Sequence, residues 1–326
     1  MTPPSRATSA GRAYLDLQKQ ARAARRPVDE YLQFYVLECF LARLASSPYA
    51  ERFVLKGGVL LAAFGERRPP RDIDFLAEGQ DNDPEAVLAA IIKIARINID
   101  DGVSFDLTTA KTSLIRDEDL YPGVRVTMFT QLWTARPQFH IDVNVGDPIH
   151  PAPNTIQIPR LLGGELAVRA YPLAMVFAEK IVTAIARGTQ STRWRDFADI
   201  YSLARRHSID GAQLVRSVQE VAAHRGTELV SLSEVLEGYG HIGQRQWSAW
   251  LRRQQMVERL PDQFSDVVAP VTAFADPAIT GLSTGYLWSP EAAAWLPTPD
   301  LRAGSASGTT EFQNVPAPGP AAGVAE

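Results

Sequence analysis

The chain has 326 residues, 45% of them hydrophobic and 21% charged, an ordinary globular balance with room for a large core and more than one folded unit. A formal net charge of -4 excludes a whole-molecule basic field of the kind that wraps nucleic acid nonspecifically, while leaving a local basic cleft open. The single cysteine, Cys39, excludes an intrachain disulfide framework; no apolar run reaches membrane-span length and the arginine-bearing N-terminus lacks the apolar stretch of a secretory signal, so a cytoplasmic protein with no membrane partner is expected.

Residues 1 to about 12 are rich in Pro, Ser and Thr and are expected to be mobile. From Ala13 to Ser47 apolar residues recur at helical spacing, and Pro27 divides the stretch into two helices, an N-terminal helical segment over 1–47. FVLKGG reads as a strand or a helix start, VLLAAFG as a short helix ended by Gly65, and RDIDFLAEG as a strand with a turn after it. PEAVLAAIIKIARIN is a helix with Pro84 near its start, and VSFDLTTAKTSLI, VRVTMFTQLW and QFHIDVNVGD carry strand patterning. Strands interleaved with a helix predict an α/β (α+β) unit with a mixed sheet over 48–165. A helical unit follows over 166–262, with PLAMVFAEKIVTAIARG, WRDFADIYSLARRH, GAQLVRSVQEVAAHRG and GQRQWSAWLRRQQM as its helices. The remainder, 263–326, reads as an irregular extension, disordered from about 297 because Pro, Gly, Ala and Ser dominate it.

The chemistry-bearing residues begin with Asp72 and Asp74. On a strand, i and i+2 share a face, so two carboxylates stand about 7 Å apart. Such a pair is stable when solvated, as on an exposed strand edge, or when bridged by a divalent cation with oxygen ligands. Gly57 and Gly58 precede a short apolar helix, which lets the backbone approach an anion closely with free N–H groups. The order of two glycines, a helix and a D-x-D strand sets an anion cradle beside a metal site, the arrangement needed for a nucleoside triphosphate. Arg71 either meets a phosphate oxygen or pairs with a neighbouring acid. In FHIDVNVGD, His140, Asp142 and Asn144 share one face; Asp142 either completes a carboxylate trio or is an exposed acid, and His140 reads as structural. Lys180 lies beside an apolar helical stripe, so it either snorkels to the surface or points into a cleft, with Glu179 a potential orienting partner. Asp196 and Asp199 fall on one helix face, with a helix-dipole role and ordinary exposure as their respective plain readings.

Taken in order, KGG, RDIDF, HIDVNVGDPIHP, AEKIVTAIARG and RWRDFADIYSLARR resemble the AbiEii/AbiGii toxin group of nucleotidyltransferases, the toxin halves of type IV toxin–antitoxin and phage-abortive systems, which include the MenT-like enzymes. The resemblance spans roughly Tyr49 to Gly226. It implies a polymerase-β-type nucleotidyltransferase domain followed by a helical domain, and NMP transfer from an NTP to an acceptor hydroxyl, at the 3′ end of tRNA, with Mg²⁺ or Mn²⁺. Carried over by motif, Lys56, Gly57, Gly58 and Arg71 would hold the nucleotide; Asp72, Asp74 and Asp142 the metal; and Lys180, Asp196 and Asp199 would complete the catalytic set. A cognate antitoxin is the implied partner. Many relatives have Ser or Thr just after the first glycine, where this chain has Gly58, and nothing after about Gln263 has a counterpart in the motifs. A same-fold enzyme that modifies a protein or small molecule, and a noncatalytic nucleotide-binding module, are the competing readings. The clusters RRPPR at 67–71, RWR at 193–195 and RR at 205–206 offer backbone-phosphate contacts, or are solvated faces.

Overall fold

Helix α1 (Ser9–Ala23) starts earlier than its composition suggests, because the Thr8 side chain caps it by accepting from the Gly11 amide, and Gly11 is pressed against the backbone of Ser5. Helix α2 (Val28–Ala45) follows Pro27 and is apolar on nearly all sides, which marks it as a buried helix. In the computed structural model, which describes residues 3–65, 72–79, 82–115 and 123–298, α2 lies against a sheet. Its Phe40 ring meets Phe105 and Phe139, and Arg43 forms a buried ion pair with Asp101. The N-terminal segment is therefore a layer of the α/β unit rather than a separate piece.

The sheet comprises β1 (Phe53–Lys56), β2 (Asp72–Ala77), β3 (Val103–Ile115), β4 (Gly123–Leu132), β5 (Gln138–Val145), β6 (Asn154–Pro159) and β7 (Glu165–Ala170), with α3 (Gly57–Leu60) after β1 and α4 (Pro84–Ala95) after β2. Pro84 at the first helical position and Asp83, whose carboxylate accepts from the amides of Glu85 and Ala86, start α4. The strand order is β3-β4-β5-β2-β1-β7-β6, with β2 parallel to β5, β1 parallel to β7 and the other pairs antiparallel. Strands β6 and β7 were not foreseen, and the expected boundary at 165 cuts into β7; the sheet runs on to Ala170. One face carries Phe53, Leu55, Ile73, Phe75, Phe139, Ile141 and Val143, all buried; α2 packs on this face through Phe40 and Phe139. Alternation sends the charged residues of the same strands to the other face.

The helical half contains α5 (Leu173–Arg187), α6 (Trp194–Ala204), the short strand β8 (Ile209–Asp210), α7 (Gly211–Arg225), α8 (Leu232–Val235), α9 (Tyr239–Ile242), α10 (Gln244–Gln254) and α11 (Ser265–Ile279), closed by the hairpin of β9 (Tyr286–Ser289) and β10 (Ala294–Pro297). The expected irregular extension from 263 is thus corrected as far as 298. Helix α11 buries Val267, Val271, Phe274 and Ala278, and β9 pairs with β8. Pro270 and Pro277 inside α11 hide it from a helix reading of the sequence. The expectation of disorder near the C-terminus falls on residues 299–326, outside the described residues, and residues 66–71, with Pro69, Pro70 and Arg71, lie outside them too. Phe274 is the centre of this closure: its ring contacts Phe177 of α5 at 4.6 Å, Trp288 at 4.9 Å and Trp295 at 5.7 Å. Phe274→Ala is expected to destabilise the fold by about 3–5 kcal/mol, the usual cost of emptying a buried aromatic site. Thermal melting checks it, and an unchanged melting temperature would mean that α11 does not belong to the core.

Candidate active site

The site is built on strand register. Lys56 on β1 is directly opposite Asp74 on β2, Asp74 is opposite Asp142 on β5, and Asp142 is opposite Arg125 on β4. Cross-strand partners share a face, so one row reads cation, carboxylate, carboxylate, cation. The neighbouring row on that face holds Asp72, His140 and Thr127. Asp72 and Asp74 are half-buried, while Asp142 is buried.

The two outer cations are already engaged. Lys56 Nζ donates to Asp147 at 2.7 Å and to Glu179 of α5 at 3.3 Å. Burial acts to lower its pKa, but Glu179, Tyr171 and Asp147 outweigh burial and hold it well above the ordinary lysine value. Its charge ties β1 to α5 and to the segment after β5. On the far side, Arg125 Nε and Nη2 donate to the two carboxylate oxygens of Asp142 at 2.7 and 2.6 Å. His140 bonds Thr127 through Nδ1 at 2.9 Å, in keeping with a structural role.

Between these cations Asp74 is left in a crowded negative field. Burial first, then the charges of Asp72 and Asp142, raise its pKa to about 7, against the smaller opposing effect of Lys56. Gly57 faces it directly: its φ is +67°, and a Cβ there would fall 1.8 Å from Asp74 Oδ2. Only glycine fits, both for its backbone conformation and for the approach of the carboxylate. Gly58 continues into the first turn of α3.

This arrangement bears on a divalent ion. Asp72 and Asp74 fit one, since they are two adjacent carboxylates whose mutual repulsion a cation relieves. Asp142 does not join them as the structure stands, because its two oxygens are turned onto Arg125. Among the described residues no three His, Cys, Asp or Glu side chains form a metal-binding group.

The helical motif residues come together with one another. Lys180 Nζ donates to Asp196 at 2.9 Å and to Asp199 at 2.7 Å, and Arg193 also pairs with Asp196 at 3.1 Å. Both acids are buried, so the plain reading of Asp199 as an exposed acid is overturned. Glu179 does not orient Lys180: consecutive helical residues point about 100° apart, and Glu179 turns to Lys56 while Lys180 turns to α6. Arg125, Asp147 and the true partner of Glu179 escaped the sequence reading. The alternation in VRVT places Arg125 on the polar face, but only the register against β5 gives it a partner.

The model of the family described as "Nucleotidyl transferase AbiEii toxin, Type IV TA system" matches residues 39–270. No curated protein matches the sequence. Among solved structures, a candidate nucleotidyltransferase from H. pylori is similar over 77% of this chain and 96% of its own, at 13% identity and a TM-score of 0.44. JHP933 from Helicobacter pylori is similar over 78% of this chain and 93% of its own, at 15% identity and a TM-score of 0.44.

Lys180→Met tests the helical cluster. The substitution takes a shared cation from two buried carboxylates, so it is expected to destabilise the protein by about 3 kcal/mol or more. Denaturant unfolding measures this, and a variant as stable as the parent would show that the cluster does not brace α5 against α6.

Proposed function

Because this chain belongs to the AbiEii family of nucleotidyl transferase toxins of type IV toxin–antitoxin systems, and is a nucleotidyltransferase with an antitoxin partner implied, we propose that it transfers a nucleoside monophosphate from an NTP to the 3′ end of tRNA in the cytoplasm. Mg²⁺ or Mn²⁺ would be held by Asp72 and Asp74, and when bound it would offset negative charge on the phosphoryl oxygens. The observation that supports this reading most is the close packing of the Gly57 backbone on Asp74, with Asp72 beside it on the same face. That packing brings the start of α3, whose first N–H groups have no partner within the helix, next to the two carboxylates. A triphosphate bound there would be within reach of those N–H donors, and a cation on Asp72 and Asp74 would offset its charge.

The other motif residues set the elements around this centre. Lys56 fixes Glu179 and Asp147, which sets α5 against the strand that leads into the glycines. Lys180, through Asp196 and Asp199, fixes α6 on α5. Exposed Arg195, together with Arg205 beside the Tyr201 ring, offers contacts for an RNA backbone.

Incubation of the purified protein with each labelled NTP, Mg²⁺ and total RNA is expected to label RNA of tRNA size at the 3′ end. Asp72→Asn and Asp74→Asn should each lower the rate by about a hundredfold or more, with melting close to that of the parent protein. Label on protein rather than RNA would replace the acceptor, and no transfer from any NTP would overturn the reading.

A further inference from the structure

The sheet face holds one charged pair that the motif residues alone do not explain. Asp142 occupies the place of a third metal ligand, yet Arg125 grips both of its oxygens side-on through Nε and Nη2. The acid is buried, with its side chain 10% exposed, whereas the Arg125 side chain is 39% exposed. Asp142 therefore has little to offer a ligand, and Arg125 has much: among the described residues Nη1 has no hydrogen-bond partner, and it belongs to the open edge of the fork. The hydrogen bond to Asp142, the largest effect on Arg125, raises its pKa further and keeps the guanidinium charged.

Position matters as much as charge. Arg125 is two strands from Asp74 at the same register, so their backbones lie about 10 Å apart. The arginine side chain leans inward over Asp142, toward the carboxylate pair. A triphosphate whose cation was held by Asp72 and Asp74 would be long enough to cross that gap. A guanidinium held side-on by a carboxylate is pre-organised to donate its remaining N–H groups to phosphate oxygens, which a lysine could not do in the same geometry.

We propose that Arg125 is a phosphate-binding residue of the nucleotide site and that Asp142 is its positioning residue rather than a metal ligand. This rests on the nucleotidyltransferase reading of the same site. It assigns the row across β1, β2, β5 and β4 a division of labour: Asp72 and Asp74 hold the cation, and the Asp142–Arg125 pair holds the phosphate chain.

The test is calorimetric titration with Mg²⁺ and each of the four NTPs, using the full chain, followed by thermal melting. The nucleotide that the parent protein binds is then titrated into Arg125→Met, Asp142→Asn, Arg125→Lys and the double variant Arg125→Met/Asp142→Asn. Arg125→Met is expected to weaken binding by about tenfold or more, and Asp142→Asn to weaken it by a smaller factor through a loosened arginine. Arg125→Lys should recover little. The double variant discriminates the causes. If Arg125 served only to neutralise Asp142, removing both charges would restore affinity; if it contacts phosphate, the double variant stays as weak as Arg125→Met. Restored affinity in the double variant, or unchanged affinity in a normally melting Arg125→Met, overturns the inference and leaves the nucleotidyltransferase reading standing. Asp142→Asn that raises the Mg²⁺ requirement while Arg125→Met binds normally would return Asp142 to the metal. A parent protein that binds none of the four NTPs overturns both.

Discussion

Asp74 and Asp142 stand side by side at one register position of the sheet, and much of the surrounding structure answers the repulsion between them. Like charges directly opposite one another on neighbouring strands are destabilising. Here a third carboxylate, Asp72, is added on the same face. The protein places a cation at each end of the row: Arg125 pairs with Asp142 within it, while Lys56 is committed outside it, to Asp147 and Glu179. Burial first, and then the charges of Asp72 and Asp142, push the Asp74 carboxyl up in the middle of the row. In the proposed reading, a cation from outside relieves the repulsion of the Asp72–Asp74 pair.

The fold supplies the means. Two glycines end the strand beside Asp74, and the first adopts a left-handed conformation that no side chain would tolerate against the carboxylate. Helix α5 supplies both Glu179, for the buried lysine of the sheet, and Lys180, for the buried acids of α6. Of these adjacent residues, Glu179 ties the helical half to the sheet, and Lys180 ties α5 to α6 within the helical half. The segment from 263 to 298 closes the helical half from the other side through Phe274 and Trp288, whose indole donates to the Ala204 carbonyl at 2.6 Å.

Much of this was legible in the residues. Period-two alternation placed β3, β4 and β5, and gave Asp72 and Asp74 one face of their strand and His140 and Asp142 one face of theirs; helical periodicity and Pro/Gly punctuation placed α5, α6 and α7. What the sequence concealed depends on contacts between distant segments. The role of Arg125 requires the register of β4 on β5, which no local pattern specifies. The partner of Lys180 lies sixteen residues downstream, beyond the helical neighbours that periodicity can name. Strands β6 and β7 are short and polar on one side, and α11 carries two prolines, so local propensity argued against elements that tertiary packing sustains.

The most direct measurement of the central claim is binding of Mn²⁺ to the nucleotide-free protein by calorimetry. The charge row predicts saturable binding of the ion at slightly alkaline pH, and its loss in Asp74→Asn. Absence of binding in the parent protein, or equal affinity in the Asn variant, would contradict the view that the Asp72–Asp74 pair is built around a missing positive charge.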